Sequence, residues 1–133
     1  MVSMSAEGLM KGHILITGGT GFIGGYLSDG LMKAGYRVTT VSRSAHSNES
    51  HICADLTHEE TVADLAKKLS SVDAIIHCAA IAHGEKPREG YSTADFNSLI
   101  VNNILKAFDR HKLRWIFMSS ISVYGELHSE SEI

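Results

Sequence analysis

The feature that most constrains this chain is an apolar segment that leads directly into closely spaced glycines. Residues 13–24 read HILITGGTGFIG, in which Gly18, Gly21 and Gly24 stand three positions apart. The uninterrupted apolar run at 14–16 predicts a buried strand, and glycine is the residue that most readily allows a sharp exit from one. The segment therefore predicts a strand that ends in a tight turn.

A helix is predicted immediately after the glycines. Ile23, Leu27 and Leu31 recur at a spacing of four, which places them on one face of a helix. Lys33 and Gly35 are typical of a helix end, where a basic side chain and a following glycine are favoured. The strand, the turn and the helix together are typical of a dinucleotide-binding motif, whose ligand is a pyrophosphate.

Each glycine has a physical reason to stand in such a turn. Gly18 permits the exit from the strand, Gly21 lets backbone N–H groups approach the phosphates, and Gly24 lets the helix lie close to the sheet. The helix dipole then places partial positive charge next to the phosphates. The alternative is a tight strand–helix turn that binds no ligand.

Length and charge narrow the class of protein. The 133 residues are sufficient for one domain with a real core, and the net charge of −3 gives no basic footprint for nucleic acid or an anionic membrane. No apolar run approaches the ~20 residues that span a bilayer, and residues 1–11 lack the pattern of a signal peptide. Cys53 and Cys78 are expected to be reduced, buried thiols, which favours a cytoplasmic location.

Strand and helix signals alternate along the rest of the chain, which predicts an α/β fold with a parallel sheet. Thr57 and Glu60 are typical of a capping box at the start of the second helix.

Right-handed crossovers predict a Rossmann-type doubly wound sheet of five strands in the order 3-2-1-4-5, with helices on both faces. They place a binding crevice at the carboxyl ends of strands one and four. The predicted strands are 13–17, 37–42, 51–54, 73–77 and 114–118, and the first and third helices are 21–34 and 93–111. The domain is expected to span 13–125, between a disordered lead-in at 1–12 and a frayed tail at 126–133.

Four segments of the chain resemble one protein family, the extended short-chain dehydrogenase/reductases, also described as NAD(P)-dependent epimerases and dehydratases. The segments are TGGTGFIG at 17–24, ADL at 54–56, HCAA at 77–80 and SSISVYG at 119–125. They occur in the order and spacing of the family, so the resemblance covers residues 13–125. It implies a nicotinamide dinucleotide as cofactor and chemistry on nucleotide-linked sugars.

The resemblance also implies roles for residues after strands three and four. Asp55 is similar to an acid that contacts the adenine ring, although an aspartate there also fits a simple turn before the second helix. Ala79 and Ala80 resemble the small-residue turn that lines the cofactor.

The end of strand two favours NADP over NAD. NAD-binding proteins of this fold usually carry Asp or Glu there to hold the ribose 2′-hydroxyl, whereas this chain has Ser42 and Arg43. A guanidinium can pair with a 2′-phosphate through two hydrogen bonds, and the alternative is an arginine that is simply solvated. The full set of expected cofactor-binding residues is Gly18, Gly21, Phe22, Ile23, Gly24, Arg43, Asp55, Leu56, Ala79 and Ala80.

The family pattern further implies a catalytic hydroxyl. Ser120 matches the serine that hydrogen-bonds the substrate oxygen during hydride transfer, with Ser119 and Ser122 as alternatives by position. The Tyr-x-x-x-Lys pair of the family is absent, because no tyrosine of these 133 residues has a lysine four positions later. Since that tyrosinate moves the proton on the sugar oxygen, the chain is expected to be inactive alone, with a nucleotide sugar as substrate of a longer form.

Other features leave alternatives open. A non-catalytic NAD(P)-binding or redox-sensing module is the rival to an enzyme, and a fragment that folds but binds weakly is a third possibility. Asn97 fits either a structural position or the neighbourhood of the active site, and His77 fits a structural histidine. The spacing of His, Cys and acidic residues predicts no metal site. Strand five would leave an exposed sheet edge, so a homo-oligomer is expected.

Overall fold

The computed structural model describes residues 10–81, 86–87, 89–109 and 111–119. Strands and helices alternate through this part of the chain, as the residue pattern predicts. In chain order they are β1 (His13–Thr17), α1 (Phe22–Lys33), β2 (Arg37–Ser42), β3 (His51–Cys53), α2 (Glu59–Lys68), β4 (Ala74–His77), α3 (Thr93–Ala107) and β5 (Arg114–Phe117).

The five strands form one parallel sheet in the order β3-β2-β1-β4-β5. This confirms the predicted fold class and strand order. The last residue of β1, Thr17, pairs with Val41 of β2 on one side and with His77 of β4 on the other. The chain therefore leaves β1 between two strands whose own carboxyl ends lie beside it, which is where this fold binds ligands.

Helices cover both faces of the sheet, each over its own apolar cluster. α2 and α3 pack on the face that includes Leu15, Val41 and Ile75, and these three residues are fully buried. α1 contributes Leu27 and Leu31 to the opposite face. Continuous burial along β1 follows from coverage on both faces, which is typical of a central parallel strand.

Apart from shifts of one residue at both ends of α1, two helix boundaries differ from the prediction. α2 begins at Glu59 with His58 as its N-cap, so the predicted capping box of Thr57 and Glu60 is wrong. The hydroxyl of Thr57 instead donates to Asp55 Oδ1 at 2.6 Å. α3 ends at Ala107, four residues earlier than predicted, because the next residue adopts an extended backbone.

The cysteines also differ from the expectation of two buried thiols. Cys53 is exposed, and Cys78 is of intermediate burial. Burial raises the pKa of the Cys78 thiol, so this side chain is neutral at physiological pH.

No helix in the described part of the chain is long and apolar enough to cross a membrane. Residues 1–9 of the predicted lead-in at 1–12 and the whole of the predicted tail at 126–133 lie outside the described residues.

We predict opposite effects on stability for two glycine-to-alanine substitutions in α1. A methyl group at Gly24 would overlap the carbonyl oxygen of Gly18, so Gly24→Ala should destabilise the fold by about 1–3 kcal/mol. A methyl group at Gly30 meets nothing within 4 Å, so Gly30→Ala should stabilise the fold by about 0.5–1 kcal/mol. Urea unfolding of both variants measures the two free energies, and a gain for Gly24→Ala would contradict the close packing of α1.

Candidate functional site

The turn after β1 is fixed by the close approach of two backbones. Gly18 has a φ of 70°, and its N–H donates to Val41 O at 2.8 Å. A Cβ at Gly18 would lie 2.8 Å from the backbone nitrogen of Ala79, which is closer than real Cβ atoms come. Glycine is therefore required here for two independent reasons, a left-handed backbone and the contact with the turn after β4.

The first turn of α1 offers free backbone donors. Its N-cap is Gly21, which has no side-chain hydrogen bond to the helix, and the first turn contains no acidic residue. The N–H groups of Phe22, Ile23 and Gly24 have no acceptor within the helix, because the first N–H groups of any α-helix lack one. With the positive end of the helix dipole, they form an arrangement suited to a phosphate.

Seven of the ten predicted cofactor-binding residues line one cleft at the carboxyl ends of the strands. They come from the turns after β1, β2, β3 and β4, and they are Gly18, Gly21, Arg43, Asp55, Leu56, Ala79 and Ala80. Phe22, Ile23 and Gly24 lie beside it in α1. The side chain of Phe22 is 95% exposed and that of Ile23 is 48% exposed, and neither residue lines the cleft.

α3 supplies a wall of the cleft that the sequence did not assign to it. Phe96 and Ile100 line the cleft and also belong to the core between α3 and the sheet. The spacing of Phe96 and Ile100 along the helix predicts that both are buried. It does not predict that these buried residues also line the cleft. The cleft thus has a polar rim of Ser42, Arg43 and Asp55 over an apolar floor.

The hydroxyl of Thr17 joins the ends of β1 and β4. Its oxygen lies 3.2 Å from both the Cys78 and the Ala79 nitrogens, from which it accepts. It lies 2.7 Å from His77 Nδ1. Because both acceptor positions of the hydroxyl are used, its proton is donated to Nδ1, and His77 is the neutral tautomer with the hydrogen on Nε2. His77 is therefore a structural histidine that holds the cleft wall.

Asp55 shapes the turn between β3 and α2. Its Oδ1 accepts from the backbone N–H of Thr57 at 3.0 Å as well as from the Thr57 hydroxyl. Its Oδ2 lies 3.4 Å from Nε2 of His58. Asp55 therefore has the turn-forming role that was one of its two predicted roles. Because Asp55 also lines the cleft, its contact with adenine stays a prediction.

Two asparagines of α3 attach the cleft turns to the helix. Asn97 Oδ1 accepts from the Ile81 N–H at 2.8 Å, just after the Ala79–Ala80 turn. Asn103, only 3% exposed, donates through Nδ2 to Leu56 O at 2.9 Å. Spacing favours Asn97 among the asparagines of this helix, whereas the contact of Asn103 with Leu56 was not predicted. The position of Asn103 on the core side of an apolar helix was the available signal.

The predicted catalytic serine, Ser120, and its alternative Ser122 lie outside the described residues. Ser119, the other alternative, is exposed and directly follows Met118, whose N–H donates to His77 O at 3.2 Å. Ser119 therefore lies just beyond the carboxyl end of β5, beside the end of β4. Among the described residues, no group of three His, Cys, Asp or Glu side chains could hold a metal ion.

We predict that His77 makes stability depend on pH. Burial lowers its pKa below the ordinary value of 6.5, so the unfolded chain binds more protons than the folded chain in mild acid. The stability due to neutral His77 is complete above the unfolded pKa and is lost as pH falls through the folded pKa. The free energy of unfolding should therefore decrease from neutral pH to about pH 5.5.

Two asparagine variants test this dependence by chemical denaturation across pH. His77→Asn keeps an acceptor for Thr17 and cannot be protonated, so the slope should become shallower. The exposed His111→Asn should keep the slope of the original chain. His13, whose pKa burial also lowers, contributes to the slope that remains. The same slope in His77→Asn as in the original chain would rule out His77 as a source.

The sequence of this chain is similar to those of known proteins. The model of the "NAD dependent epimerase/dehydratase family" matches residues 14–133. The protein named "Probable UDP-arabinose 4-epimerase 3" of Arabidopsis thaliana is 33% identical over 145 residues, covering 93% of this chain and 34% of that protein. UDP-glucose 4-epimerase of Vibrio cholerae is 31% identical over 122 residues, covering 88% of this chain and 37% of that protein.

The structure of this chain is also similar to a solved structure of a UDP-glucose 4-epimerase. It is UDP-glucose-4-epimerase from Stenotrophomonas maltophila with bound NAD and formylated UDP-arabinopyranose, with a TM-score of 0.69 and 26% identity. The match covers 90% of this chain and 40% of that chain. This chain spans about a third of the length of the two curated relatives, at 34% and 37%. Since the family model matches from β1 to the last residue, the chain belongs to the NAD-dependent epimerase/dehydratase family.

Proposed function

We propose that this chain binds a nicotinamide dinucleotide in the cleft at the carboxyl ends of β1 and β4. The observation that carries the proposal is the convergence of four separate turns on that cleft, which brings together seven of the ten predicted cofactor-binding residues. A phosphate fits at Gly21, where there is no side chain and the first-turn N–H groups of α1 are free for an anion. The adenosine end fits between the Arg43 segment and the Asp55–Leu56 turn.

NADP is the proposed preference. Ser42 and Arg43 stand at the end of β2, where an acid would be needed to hold the 2′-hydroxyl of NAD. Arg43 is exposed at the cleft rim, and no described carboxylate forms an ion pair with it. Its guanidinium is thus available for the 2′-phosphate that distinguishes the two cofactors.

The proposed reaction class is hydride transfer at a carbon of a nucleotide-linked sugar. The names of the relatives, which are UDP-sugar 4-epimerases, support this class. A bound nicotinamide supplies or accepts the hydride. A serine after β5, Ser120 by family position, would hydrogen-bond the reacting oxygen. These 133 residues contain no Tyr-x-x-x-Lys pair to move its proton, so we expect no turnover by this chain alone.

A second candidate function is a non-catalytic module that binds NAD(P) as a sensor or as one part of a larger assembly. Mixing the chain with cofactor and UDP-glucose and following nicotinamide absorbance tests the module. Because an epimerase returns the hydride to the sugar, a sugar-dependent change in absorbance, even a transient one, would show hydride transfer and refute the module. Cofactor binding without any change agrees with the module and also with the absence of turnover expected of this chain alone.

We predict that calorimetric titration shows micromolar binding of NADP⁺ and about tenfold weaker binding of NAD⁺. Gly21→Ala should weaken both cofactors because its methyl group narrows the approach to the first turn of α1. Gly30→Ala places the same group in open space on the same helix and should change neither affinity. Arg43→Gln should weaken NADP⁺ alone. Absence of binding for both cofactors would refute the proposed function.

We further predict self-association of the chain through β5. This strand lies at one edge of the described sheet, and Ile116, Phe117 and Met118 are 44%, 47% and 44% exposed. Unpaired edge groups beside exposed apolar side chains favour pairing with a second copy. Light scattering after gel filtration should show a dimer that Phe117→Lys converts to a monomer. A monomer at high concentration of the original chain would refute this prediction.

A further inference from the structure

We propose that His51 sets the choice between NADP and NAD by holding the segment that carries Arg43. This inference rests on the proposed function, because it concerns the selectivity of the same cleft. His51 is the first residue of β3 and does not line the cleft. It is therefore a positioning residue, which acts on the cofactor through Ser44 and Arg43.

Both ring nitrogens of His51 are used. Nε2 lies 2.9 Å from the carbonyl oxygen of Ser44, and a carbonyl can only accept, so Nε2 carries the hydrogen. Nδ1 lies 2.7 Å from Oγ1 of the buried Thr40, from which it accepts. The ring thus connects a buried residue of β2 to the loop that follows β2, in one tautomer.

The segment held by His51 is anchored on both sides of Arg43. Ser42 O accepts from the Ala54 N–H at 2.9 Å, in line with the sheet. Ser44 O accepts from His51 and also from the hydroxyl of Ser42 at 3.2 Å. Ser42 in turn accepts from the Thr20 hydroxyl at 3.2 Å, which joins the segment to the glycine turn. Arg43 therefore starts from a backbone whose position relative to the phosphate-binding turn is fixed.

This anchoring matters for one cofactor more than for the other. A bidentate contact between a guanidinium and a phosphate requires a defined position and orientation of the arginine. Only NADP carries the 2′-phosphate that would make this contact, whereas both cofactors share the pyrophosphate held at α1. Loss of the His51–Ser44 hydrogen bond leaves the segment held at Ser42 and by the Cys53 thiol, which donates to Arg43 O at 3.1 Å. It removes the anchor that follows Arg43 and so makes the position of the guanidinium less defined. NADP therefore loses affinity and NAD keeps most of it.

The test compares NADP⁺ and NAD⁺ affinities in the original chain, His51→Phe, His51→Gln and His111→Phe. The centre of the His51 ring lies 5.6 Å from the centre of the His46 ring. Phenylalanine at position 51 keeps a ring there but removes both hydrogen bonds. Glutamine restores an N–H that can reach Ser44. His111 is exposed in the turn before β5, far along the sheet from β3, and controls for the loss of a histidine.

The expected result is that His51→Phe weakens NADP⁺ by about tenfold and NAD⁺ by less than about twofold. His51→Gln should retain most of the preference, and His111→Phe should retain all of it. Equal weakening of both cofactors, or no change in either, would overturn the role of His51. Failure of the original chain to bind any cofactor would instead overturn the proposed function and this inference with it. A preference of the original chain for NAD⁺ would overturn the proposed NADP preference and this inference, but not dinucleotide binding.

If His51→Phe does not fold, Thr40→Val provides the second measurement. It removes the hydroxyl that donates to Nδ1 and keeps the shape of a buried β-branched residue. It should lower the NADP⁺ preference while the NAD⁺ affinity is maintained. An unchanged preference in folded Thr40→Val would also count against the proposal.

Discussion

The contact on which the cleft depends is the one between the ends of β1 and β4, made through the Thr17 hydroxyl. That hydroxyl accepts from two backbone N–H groups after β4 and donates to His77, so all its hydrogen-bonding capacity is used. Gly18, the next residue, then lies against Ala79 with no space for a side chain. The glycine turn and the small-residue turn are therefore one packed unit, and each needs the other to keep its shape.

α3 connects this unit to the rest of the molecule. Asn97 holds the turn after β4 and Asn103 holds the turn after β3, which lie on two sides of the cleft. Phe96 and Ile100 of the same helix form the floor of the cleft and are also part of the core. Since a buried carbonyl without a donor costs about 1–3 kcal/mol, these amides contribute to stability as well as to cleft shape. The cleft therefore cannot be considered apart from the core beneath it.

Local patterns were sufficient to predict the strands, their order and most of the cleft. Apolar runs, crossover handedness and glycine spacing act over short stretches, and β1 and β2 have the predicted bounds. The missed features depend on a partner distant in sequence or on the residue at which a helix begins. Asn103 meets Leu56, which is 47 residues away. Thr57 would cap α2 by accepting from a helix N–H, but the N-cap is His58, and Thr57 instead belongs to the preceding turn, where its N–H and its hydroxyl both donate to Asp55 Oδ1.

The cleft divides the work of recognition between backbone and side chains. In the proposed binding mode, the phosphates are met by N–H groups and by glycines, which any sequence with this spacing supplies, so that part of the site would follow from the fold itself. Discrimination between cofactors is proposed to lie in the connection between β2 and β3, where Arg43 and the residues that hold it lie at the edge of the sheet. Because that connection contributes little to the core, selectivity can change there by one or two substitutions while the strand order and the phosphate site remain the same.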